Sequence, residues 1–336
     1  MGTPAGLDPK QAHVVAQWKV GRPMVCCRFE PRGRFVFCGL ESATIERVLL
    51  ADGKVVPFPG GHDSWVFALA FSPDGRFTYS AGGEGRVVIW ETEAAAPRPV
   101  RTIDAHRGWV RGLGASPDGK LIASGGNDRS VRLWEAATGR LVRELTGHLN
   151  HVYSLEFPPD GKTLLSGDLL GSIRQWDLAT GKTIGTFDAK ALHKYDGGQQ
   201  VDFGGVRGLA ISPDGGSVAG GGLHKATNPL GAVHEPIVLV FDAKSRKLAR
   251  TLLADGIPGG VLWRLRYLAD GTLMGACGGT SGGFLLFWKA GAEKAYHRLV
   301  LPGTARDMDL HPDGLRVATA HYDGNVRVTR LAAKTA

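Results

Sequence analysis

The segment 108–147 reads GWVRGLGASPDGKLIASGGNDRSVRLWEAATGRLVRELTG, and it decides the fold. Asp118-Gly119 lies between two apolar runs, where an Asp-Gly pair is a strong signal for a β-hairpin. Gly-Gly-Asn-Asp at 125–128 predicts a second tight turn, and Ala-Thr-Gly at 137–139 predicts a third. Three turns give four short antiparallel strands in one small sheet. Such a sheet cannot bury both faces alone, but it can when it is stacked against copies of itself.

The Asp-Gly turn recurs throughout the chain. It begins at Asp74, Asp118, Asp160, Asp214, Asp270 and Asp313, and a degenerate Pro-Arg-Gly turn stands at Arg32. The successive intervals are 42, 44, 42, 54, 56 and 43 residues. A period of about 40–45 residues with four strands per unit is typical of a β-propeller blade. Seven turns therefore predict an all-β, seven-bladed β-propeller of four-stranded antiparallel blades.

The chain resembles the WD-repeat β-propeller family over nearly all of its length. The resemblance implies a buried polar quartet in each blade, and the third blade carries all four residue types. They are His106, Ser124, Asp128 and Trp134. Buried His, Ser and Asp side chains need hydrogen-bond partners, and the indole N–H can only donate. We therefore interpret this quartet as structural.

The quartet is less complete in the other blades. Blade 2 has Glu84 in the place of the Asp, blade 4 has Leu170 there, and blade 7 ends its third strand in Thr329. Blades 1, 5 and 6 lack most of the quartet, so the blades are expected to differ in stability. The leading histidines that we interpret as structural rather than as ligands are His62, His106 and His148.

The last blade has no fourth strand of its own, because its third strand, predicted at Val326–Arg330, is followed by too few residues. The segment Val14–Lys19 reads as a strand that precedes the first blade. We expect it to pair with Val326–Arg330 and close the ring, since an open propeller exposes sheet edges. Residues 1–10 are then expected to form a flexible tail, and residues 11–336 a single propeller.

Two insertions interrupt the repeat at blade 5. About 12 extra residues lie within Ala189–Gly205, before its first strand, and 11 more lie within 222–236, between its second and third strands. In a four-stranded meander both links emerge on one face, so the insertions should lie side by side. Long ordered loops are usually functional. The competing interpretation is that they only cover blade 5, which has Gly220 and Phe241 in quartet places.

Aromatic residues and arginines recur at the start of the first strands, near the predicted channel mouth on the same face; Phe67 and His151 share these positions. Such residues dominate binding hot spots. The alternative is that they pack between blades or pair with turn carboxylates. The predicted partner-binding residues are Trp65, Trp109, Arg111, Tyr153, His193, Lys194, Tyr195, Arg207, His224, Lys225, His234, Trp263 and Arg306. They suit a protein or peptide that is acidic or contains aromatic residues.

The composition restricts the classes of partner and the cellular compartment that we expect. The net charge is +8, but the lysines and arginines form no basic stripe or tail, so nucleic acid is not an expected partner. No apolar run is long enough to predict a membrane span. The four cysteines match no zinc or disulfide pattern and indicate buried thiols in a reducing compartment, the cytoplasm. They are Cys26, Cys27, Cys38 and Cys277.

Catalytic motifs are missing from the sequence. No Walker, Gly-x-Ser-x-Gly or His-Glu-x-x-His pattern occurs, and the Gly-rich segment 278–283 reads as a turn. We assign no catalytic, cofactor-binding or metal-binding residue and expect a non-catalytic scaffold for proteins or peptides, as the family resemblance implies. The alternative is an enzyme, or a small-ligand- or metal-binding propeller, with its site at the channel mouth. The insertion residues that could approach a metal are His193, Asp196, His224, His234 and Glu235.

Overall fold

The strands form the predicted repeat. A computed structural model of the chain describes residues 2–228, 233–254, 256–280 and 282–334. Within these residues, seven four-stranded antiparallel sheets form a ring, and each sheet is one blade. The first strand of every blade contacts the first strand of the next blade, so these strands line a central channel. The predicted seven-bladed propeller is therefore confirmed.

Strand β1 (His13–Lys19) precedes the first three blades, and these blades contain the next twelve strands. Blade 1 comprises β2 (Met24–Phe29), β3 (Phe35–Leu40), β4 (Ile45–Leu49) and β5 (Val55–Phe58). Blade 2 comprises β6 (Val66–Phe71), β7 (Phe77–Gly82), β8 (Arg86–Glu91) and β9 (Pro99–Asp104). Blade 3 comprises β10 (Val110–Ala115), β11 (Leu121–Gly126), β12 (Val131–Glu135) and β13 (Leu141–Leu145).

The second half of the chain contains blades 4 to 7 and one separate hairpin. Blade 4 comprises β14 (Val152–Glu156), β15 (Thr163–Asp168), β16 (Ser172–Asp177) and β17 (Thr183–Asp188). The hairpin comprises β18 (His193–Asp196) and β19 (Val201–Gly204). Blade 5 comprises β20 (Gly208–Ile211), β21 (Ser217–Asn228), β22 (Val233–Asp242) and β23 (Leu248–Leu253). Blade 6 comprises β24 (Gly260–Tyr267), β25 (Leu273–Gly279), β26 (Gly282–Trp288) and β27 (His297–Leu301). Blade 7 comprises β28 (Ala305–Leu310), β29 (Arg316–His321) and β30 (Asn325–Arg330).

The ring is closed by the N-terminal strand. The strand order in the last sheet is β1-β30-β29-β28, and β1 runs antiparallel to β30 with Trp18 opposite Val326. The Gln17 side chain accepts a hydrogen bond from Arg327 Nε at 3.2 Å. The predicted closure by the segment that begins near Val14 is thus confirmed, because β1 supplies the fourth strand of blade 7.

The residues before β1 include a 3₁₀ turn at Pro9–Gln11, which the Asp8 carboxylate caps by accepting from the Lys10 amide at 3.0 Å. The Asp8 amide donates to the Leu331 carbonyl at 2.9 Å, and Leu7 packs against the core between blades 6 and 7. Met1 and residues 335–336 lie outside the described residues. The division into a flexible tail at 1–10 and a propeller at 11–336 stays a prediction.

The repeated turn explains how each blade begins. In blade 3 the Asp118 carboxylate accepts from the Ser116 hydroxyl at 2.6 Å and from the Lys120 amide at 3.1 Å. Gly119 has a φ of +72°, a left-handed conformation that glycine adopts without the steric penalty of a Cβ. The same Ser–Asp hydrogen bond recurs at Asp74 and Asp214. This turn chemistry fixes the first hairpin of the blades that carry it.

The hydrophobic core consists of layers between neighbouring blades. Between blades 1 and 2, Trp90 packs edge-on against Phe58 with ring centroids 5.6 Å apart. Between blades 4 and 5, Phe187 packs against Phe241 at the same 5.6 Å distance. Because neighbours cover both faces of a blade, the strands carry apolar runs instead of a clean alternation.

The polar quartet of blade 3 forms the expected chain of hydrogen bonds. Trp134 Nε1 donates to Ser124 Oγ at 2.8 Å, and Ser124 Oγ lies 2.7 Å from His106 Nε2. His106 Nδ1 lies 2.8 Å from Asp128 Oδ1. In blade 2 the longer Glu84 side chain takes the place of the Asp, with its Oε1 2.5 Å from His62 Nδ1.

Blade 4 completes its quartet from a position that the sequence pattern does not indicate. Leu170 stands at the Asp position of the repeat, so the sequence predicts that blade 4 lacks the carboxylate of the quartet. This prediction is wrong, because Asp168 Oδ2 lies 2.7 Å from His148 Nδ1. Ser166 Oγ lies 2.6 Å from His148 Nε2 and accepts from Trp176 Nε1 at 2.7 Å. Asp168 lies at the end of β15, and its carboxylate reaches the histidine without the turn position.

Asp168→Ala is expected to lower the free energy of unfolding by about 2–4 kcal/mol, because it removes the bond to His148 and the bond that Oδ1 accepts from the Ser172 amide. Leu170→Ala is the matched control at the position that the repeat pattern assigns. It should cost less than about 1 kcal/mol, since Leu170 is partly exposed. Urea denaturation of both variants measures the difference. Equal losses would contradict the role of Asp168.

Blades 5 to 7 depart further from the quartet. In blade 7, His321 Nε2 lies 2.8 Å from Thr319 Oγ1, so a histidine within β29 replaces one before the first strand. In blade 6, the indole N–H of Trp288 is buried and has no hydrogen-bond partner among the described residues. A buried donor without an acceptor is destabilising. These differences support the expectation that the blades are not equally stable.

The four cysteines are buried free thiols. Burial raises the pKa of Cys26 and of Cys277 to about 12. Among the described residues, no helix has both the length and the apolar character needed to cross a bilayer.

Candidate functional site

Seven side chains, one from each blade, surround the mouth of the central channel. We term them the channel-mouth ring: Val25, Phe67, Arg111, Tyr153, Arg207, Trp263 and Arg306. All seven line one cavity of about 260 Å³. Four further residues complete the lining of this cavity: Arg28, Trp65, Arg264 and Asp307.

A β-bulge sets the direction of the ring side chains. In blade 3, Val110 pairs with Gly126 and Gly112 pairs with Gly125, which leaves Arg111 without an opposite residue. The registers described for blades 1, 2, 4, 6 and 7 skip the ring residue in the same way. In blade 5, Arg207 directly precedes β20. A bulge re-aims a side chain, so one repeated irregularity directs one side chain per blade to the cavity.

Aromatic rings and guanidinium groups alternate along part of the ring. The Arg111 guanidinium carbon lies 4.9 Å from the Phe67 ring centroid and 4.8 Å from that of Tyr153. The Arg207 guanidinium carbon lies 4.2 Å from the Tyr153 centroid and 5.6 Å from that of Trp263. Each arginine therefore contacts the aromatic residues of both neighbouring blades, and cation–π attraction holds it in place.

Two exposed tryptophans extend this aromatic surface from the cavity towards solvent. Trp109 stacks on Phe67 with ring centroids 5.0 Å apart, and Arg111 lies 4.5 Å from the Trp109 centroid. Trp65 lies 6.0 Å from Phe67, measured between ring centroids. Trp65 and Trp109 are 43% and 41% exposed, so each presents a large apolar area to solvent at the mouth of the channel.

The arginines of the cavity differ in their counter-ions. Arg306 forms an ion pair with Glu41 at 2.5 Å, and Arg28 forms one with Asp307 at 2.5 Å. Arg264 Nε lies 3.8 Å from the same aspartate. These arginines follow the alternative interpretation, in which carboxylates pair with them.

Arg111 and Arg207 have no such pairing. Among the described residues no carboxylate lies within ion-pair distance of either side chain, and the Nε of each is buried without a hydrogen-bond partner. Burial lowers the pKa of Arg111 to about 10, and the neighbouring Arg207 cation adds to this effect. Burial also lowers the pKa of Arg207. The cavity therefore holds two guanidinium groups that no carboxylate of the described residues compensates.

The first insertion folds into the β18–β19 hairpin. His193 Nε2 lies 2.8 Å from Asp202 Oδ1, and Asn150 Nδ2 donates to the other carboxylate oxygen at 3.2 Å. Leu192 is fully buried in the core between blades 4 and 5. The base of the hairpin is therefore held by blade 4, whereas Tyr195 near its tip is 52% exposed.

The second insertion extends two strands of blade 5 rather than forming an irregular loop. β21 and β22 stay paired beyond the usual blade length, with Leu223 opposite Pro236 and His224 opposite Glu235. Lys225 Nζ donates to Glu235 Oε2 at 2.9 Å. Residues 229–232 of this insertion lie outside the described residues. The predicted neighbourhood of the two insertions is observed, since β18 and β19 both contact β21.

An apolar cluster joins the insertions to the channel-mouth ring. Leu223 and Ala226 of β21 pack with Val261 of β24, and Phe203 of β19 and Trp263 of the ring pack against them. The insertions and the channel mouth are thus parts of one continuous surface, which we term the insertion face. Trp263 is the ring residue through which the two parts meet.

Ten of the thirteen predicted partner-binding residues line two cavities on this face, whereas Trp109, Tyr195 and His234 line neither. Those that line the channel cavity are Trp65, Arg111, Tyr153, Arg207, Trp263 and Arg306. Those that line a second cleft of about 340 Å³ between the insertions are His193, Lys194, His224 and Lys225. The His234 carbonyl accepts from the Gly259 amide at 2.7 Å, and burial lowers the pKa of its imidazole. Part of the positive charge expected from Lys225 is offset by Glu235.

Sequence reasoning missed Arg28, Arg264 and Asp307, which lie inside first strands. The available signal was a charged residue within an otherwise apolar run, as in MVCCRF and VLWRLRY. It also missed Tyr322, whose ring centroid lies 4.5 Å from the Arg306 guanidinium carbon. No local spacing indicates that contact, because it depends on how the strands of blade 7 lie next to each other.

No group of three or more His, Cys, Asp or Glu side chains that could hold a metal ion occurs in the part of the chain that the structure describes. The insertion carboxylates pair with neighbours instead. Asp202 lies beside His193, and Glu235 lies beside Lys225 and 3.7 Å from His224 Nε2.

Four segments of the chain match the family model of the WD domain, G-beta repeat. They are residues 53–91, 97–135, 139–177 and 298–329. Three of these segments end in the third strands of blades 2, 3 and 4, where the tryptophans of the complete quartets lie. With the seven-bladed ring, the matches show that the chain belongs to the WD-repeat β-propeller family, whose members are generally non-catalytic scaffolds for protein interactions. No curated protein matches the chain.

Proposed function

We propose that this propeller is a non-catalytic scaffold that binds a protein or peptide on its insertion face. The observation that carries the proposal is the continuity between the insertions and the aromatic–arginine ring at the channel mouth. Exposed Trp65 and Trp109 next to arginines match the composition of binding hot spots. The uncompensated Arg111 and Arg207 favour a partner that is acidic, and the aromatic rings favour one with aromatic side chains.

We also propose that the protein is cytoplasmic, as expected from the sequence. The four buried free thiols support this location. A nucleic-acid partner is not part of the proposal. The insertion face carries cations at two separate places, the channel cavity with its aromatic walls and the cleft between the insertions, whereas a nucleic-acid surface needs a stripe of cations that follows a phosphate backbone.

Shortening each insertion is expected to remove partner binding without unfolding the protein. Replacing 195–202 with Asn-Gly joins Lys194 to Phe203, which already lie opposite each other in the hairpin. Replacing 225–234 with Asn-Gly joins His224 to Glu235 in the same way. The first variant keeps buried Leu192 but removes Asp202, and the second keeps buried Leu223 but removes Ala226. Circular dichroism and thermal unfolding check the fold, and affinity capture from lysate with quantitative mass spectrometry measures binding.

The matched control places the same Asn-Gly pair at exposed Ala95–Ala96, in the link between β8 and β9 on the opposite face. Proteins captured by the wild-type chain should be retained by the control and lost, by about tenfold or more, with each shortened variant. If both shortened variants fold and capture the same proteins as the wild type, the site lies elsewhere. If they unfold, the insertions are braces for blade 5.

A further inference from the structure

Arg111 and Arg207 both line the channel cavity of about 260 Å³. Both guanidinium groups lie against the ring of Tyr153, with centroid distances of 4.8 and 4.2 Å. Arg207 also hydrogen-bonds to the Tyr153 side chain. A guanidinium carries five N–H donors, so these contacts leave further donors on each arginine for a ligand.

The other three arginines of the cavity each lie within 3.8 Å of a carboxylate, with Arg28 and Arg264 sharing Asp307, whereas Arg111 and Arg207 do not. Arg306 occupies the same ring position in blade 7, yet Glu41 neutralises it at 2.5 Å. Asp307 neutralises Arg28. A partly buried cation without a counter-ion is costly, and the nearby charge of Arg207 also lowers the pKa of Arg111. A ligand that brings two negative charges to this point would remove that cost.

We propose that Arg111 and Arg207 together bind one dianionic phosphate group at the channel mouth. Two guanidinium groups balance the charge of one phosphate dianion, and arginine edges match phosphate oxygens in a bidentate manner. The phosphate belongs either to a modified side chain of the bound peptide or to a small phosphorylated molecule. This inference rests on the binding site proposed above and names the chemistry that the site recognises.

Isothermal titration calorimetry of the full chain with inorganic phosphate tests the proposal. Chloride at matched ionic strength is the reference. Arg111→Gln and Arg207→Gln should each weaken phosphate binding by about tenfold or more, since each removes one charge-assisted contact. Arg140→Gln is the matched control and should change the affinity less than about twofold, because Arg140 is exposed in the link between β12 and β13 and does not line the cavity. Arg207→Lys keeps the charge but loses the bidentate fork, and it should fall between these results.

Three acetylated pentapeptides distinguish the source of the phosphate. They share one sequence with a central phosphoserine, glutamate or serine. Binding of the phosphoserine peptide that is about tenfold tighter than that of inorganic phosphate assigns the site to a modified side chain, and similar affinities assign it to a small phosphorylated molecule. The glutamate peptide should bind more weakly, because it carries one charge.

Three results would overturn the inference. One is phosphate binding no stronger than that of chloride, and another is an equal loss in Arg140→Gln. The third is a glutamate peptide that binds as tightly as the phosphoserine peptide. None of these results affects the scaffold proposal, which is judged by capture with the shortened insertions. The glutamine variants remove a buried unpaired charge, so their melting temperatures should not fall. If they do, the phosphate titration of Arg207→Lys decides the proposal.

Discussion

Deleting residues 2–20 is expected to lower the free energy of unfolding by several kcal/mol, because the deletion removes β1 together with its ladder hydrogen bonds and apolar side chains. Ala16 and Trp18 of β1 pack against the core between blades 1 and 7. Without β1, β30 becomes an unpaired edge strand. Thermal and urea unfolding measure the loss. An unchanged melting curve would contradict closure of the ring by β1.

Two point variants provide a matched control for this deletion. Ala16→Asp places a carboxylate on the inward face of β1, and Val15→Asp places one on the outward face, where Val15 is 47% exposed. The inward variant should cost about 2 kcal/mol or more, and the outward variant less than about 0.5 kcal/mol. Deleting only residues 2–6 should cost less than about 1 kcal/mol if the first ten residues form a flexible tail. A peptide of residues 9–21 added to the larger deletion should restore part of the stability.

Trp134→Ala is expected to cost about 3–5 kcal/mol, because it leaves a cavity between blades 2 and 3 and removes the donor to Ser124. Trp134 is only 6% exposed, so removal of its ring leaves a buried apolar cavity. Trp134→Phe keeps one aromatic ring, and it removes the donor and part of the indole volume. It should cost less than Trp134→Ala, about 1–2 kcal/mol, because part of the packing is kept. Urea denaturation with a common slope measures all variants.

Trp18→Ala is the comparison for this prediction. Trp18 lies near the end of β1, where it is only partly buried and packs on the core between blades 1 and 7. Because an end strand can fray, its truncation should cost less than that of Trp134. Equal costs at the two sites would show that the quartet has no special importance for the stability of this protein.

The sequence alone determined most of the architecture. The Asp-Gly turns with their period of about 40–45 residues predicted seven blades, since turn chemistry is local and depends on adjacent residues such as Ser116 and Asp118. The missing fourth strand of blade 7 predicted closure by the segment 14–19. The face on which the insertions emerge followed from meander connectivity, which is fixed once the strands are counted.

Only the tertiary structure decided which polar groups meet. Asp168 replaces the residue expected at 170 because the distance from a side chain to His148 depends on where the strand ends in space. Glu41 neutralises Arg306 from 265 positions away, whereas Arg111 receives no carboxylate. Arg111, Arg207 and Arg306 occupy the same position of the repeat, so repeat spacing cannot tell the paired arginine from the unpaired ones. The closure of the ring brings Glu41 of blade 1 next to Arg306 of blade 7, and this contact separates the paired cation from the unpaired ones.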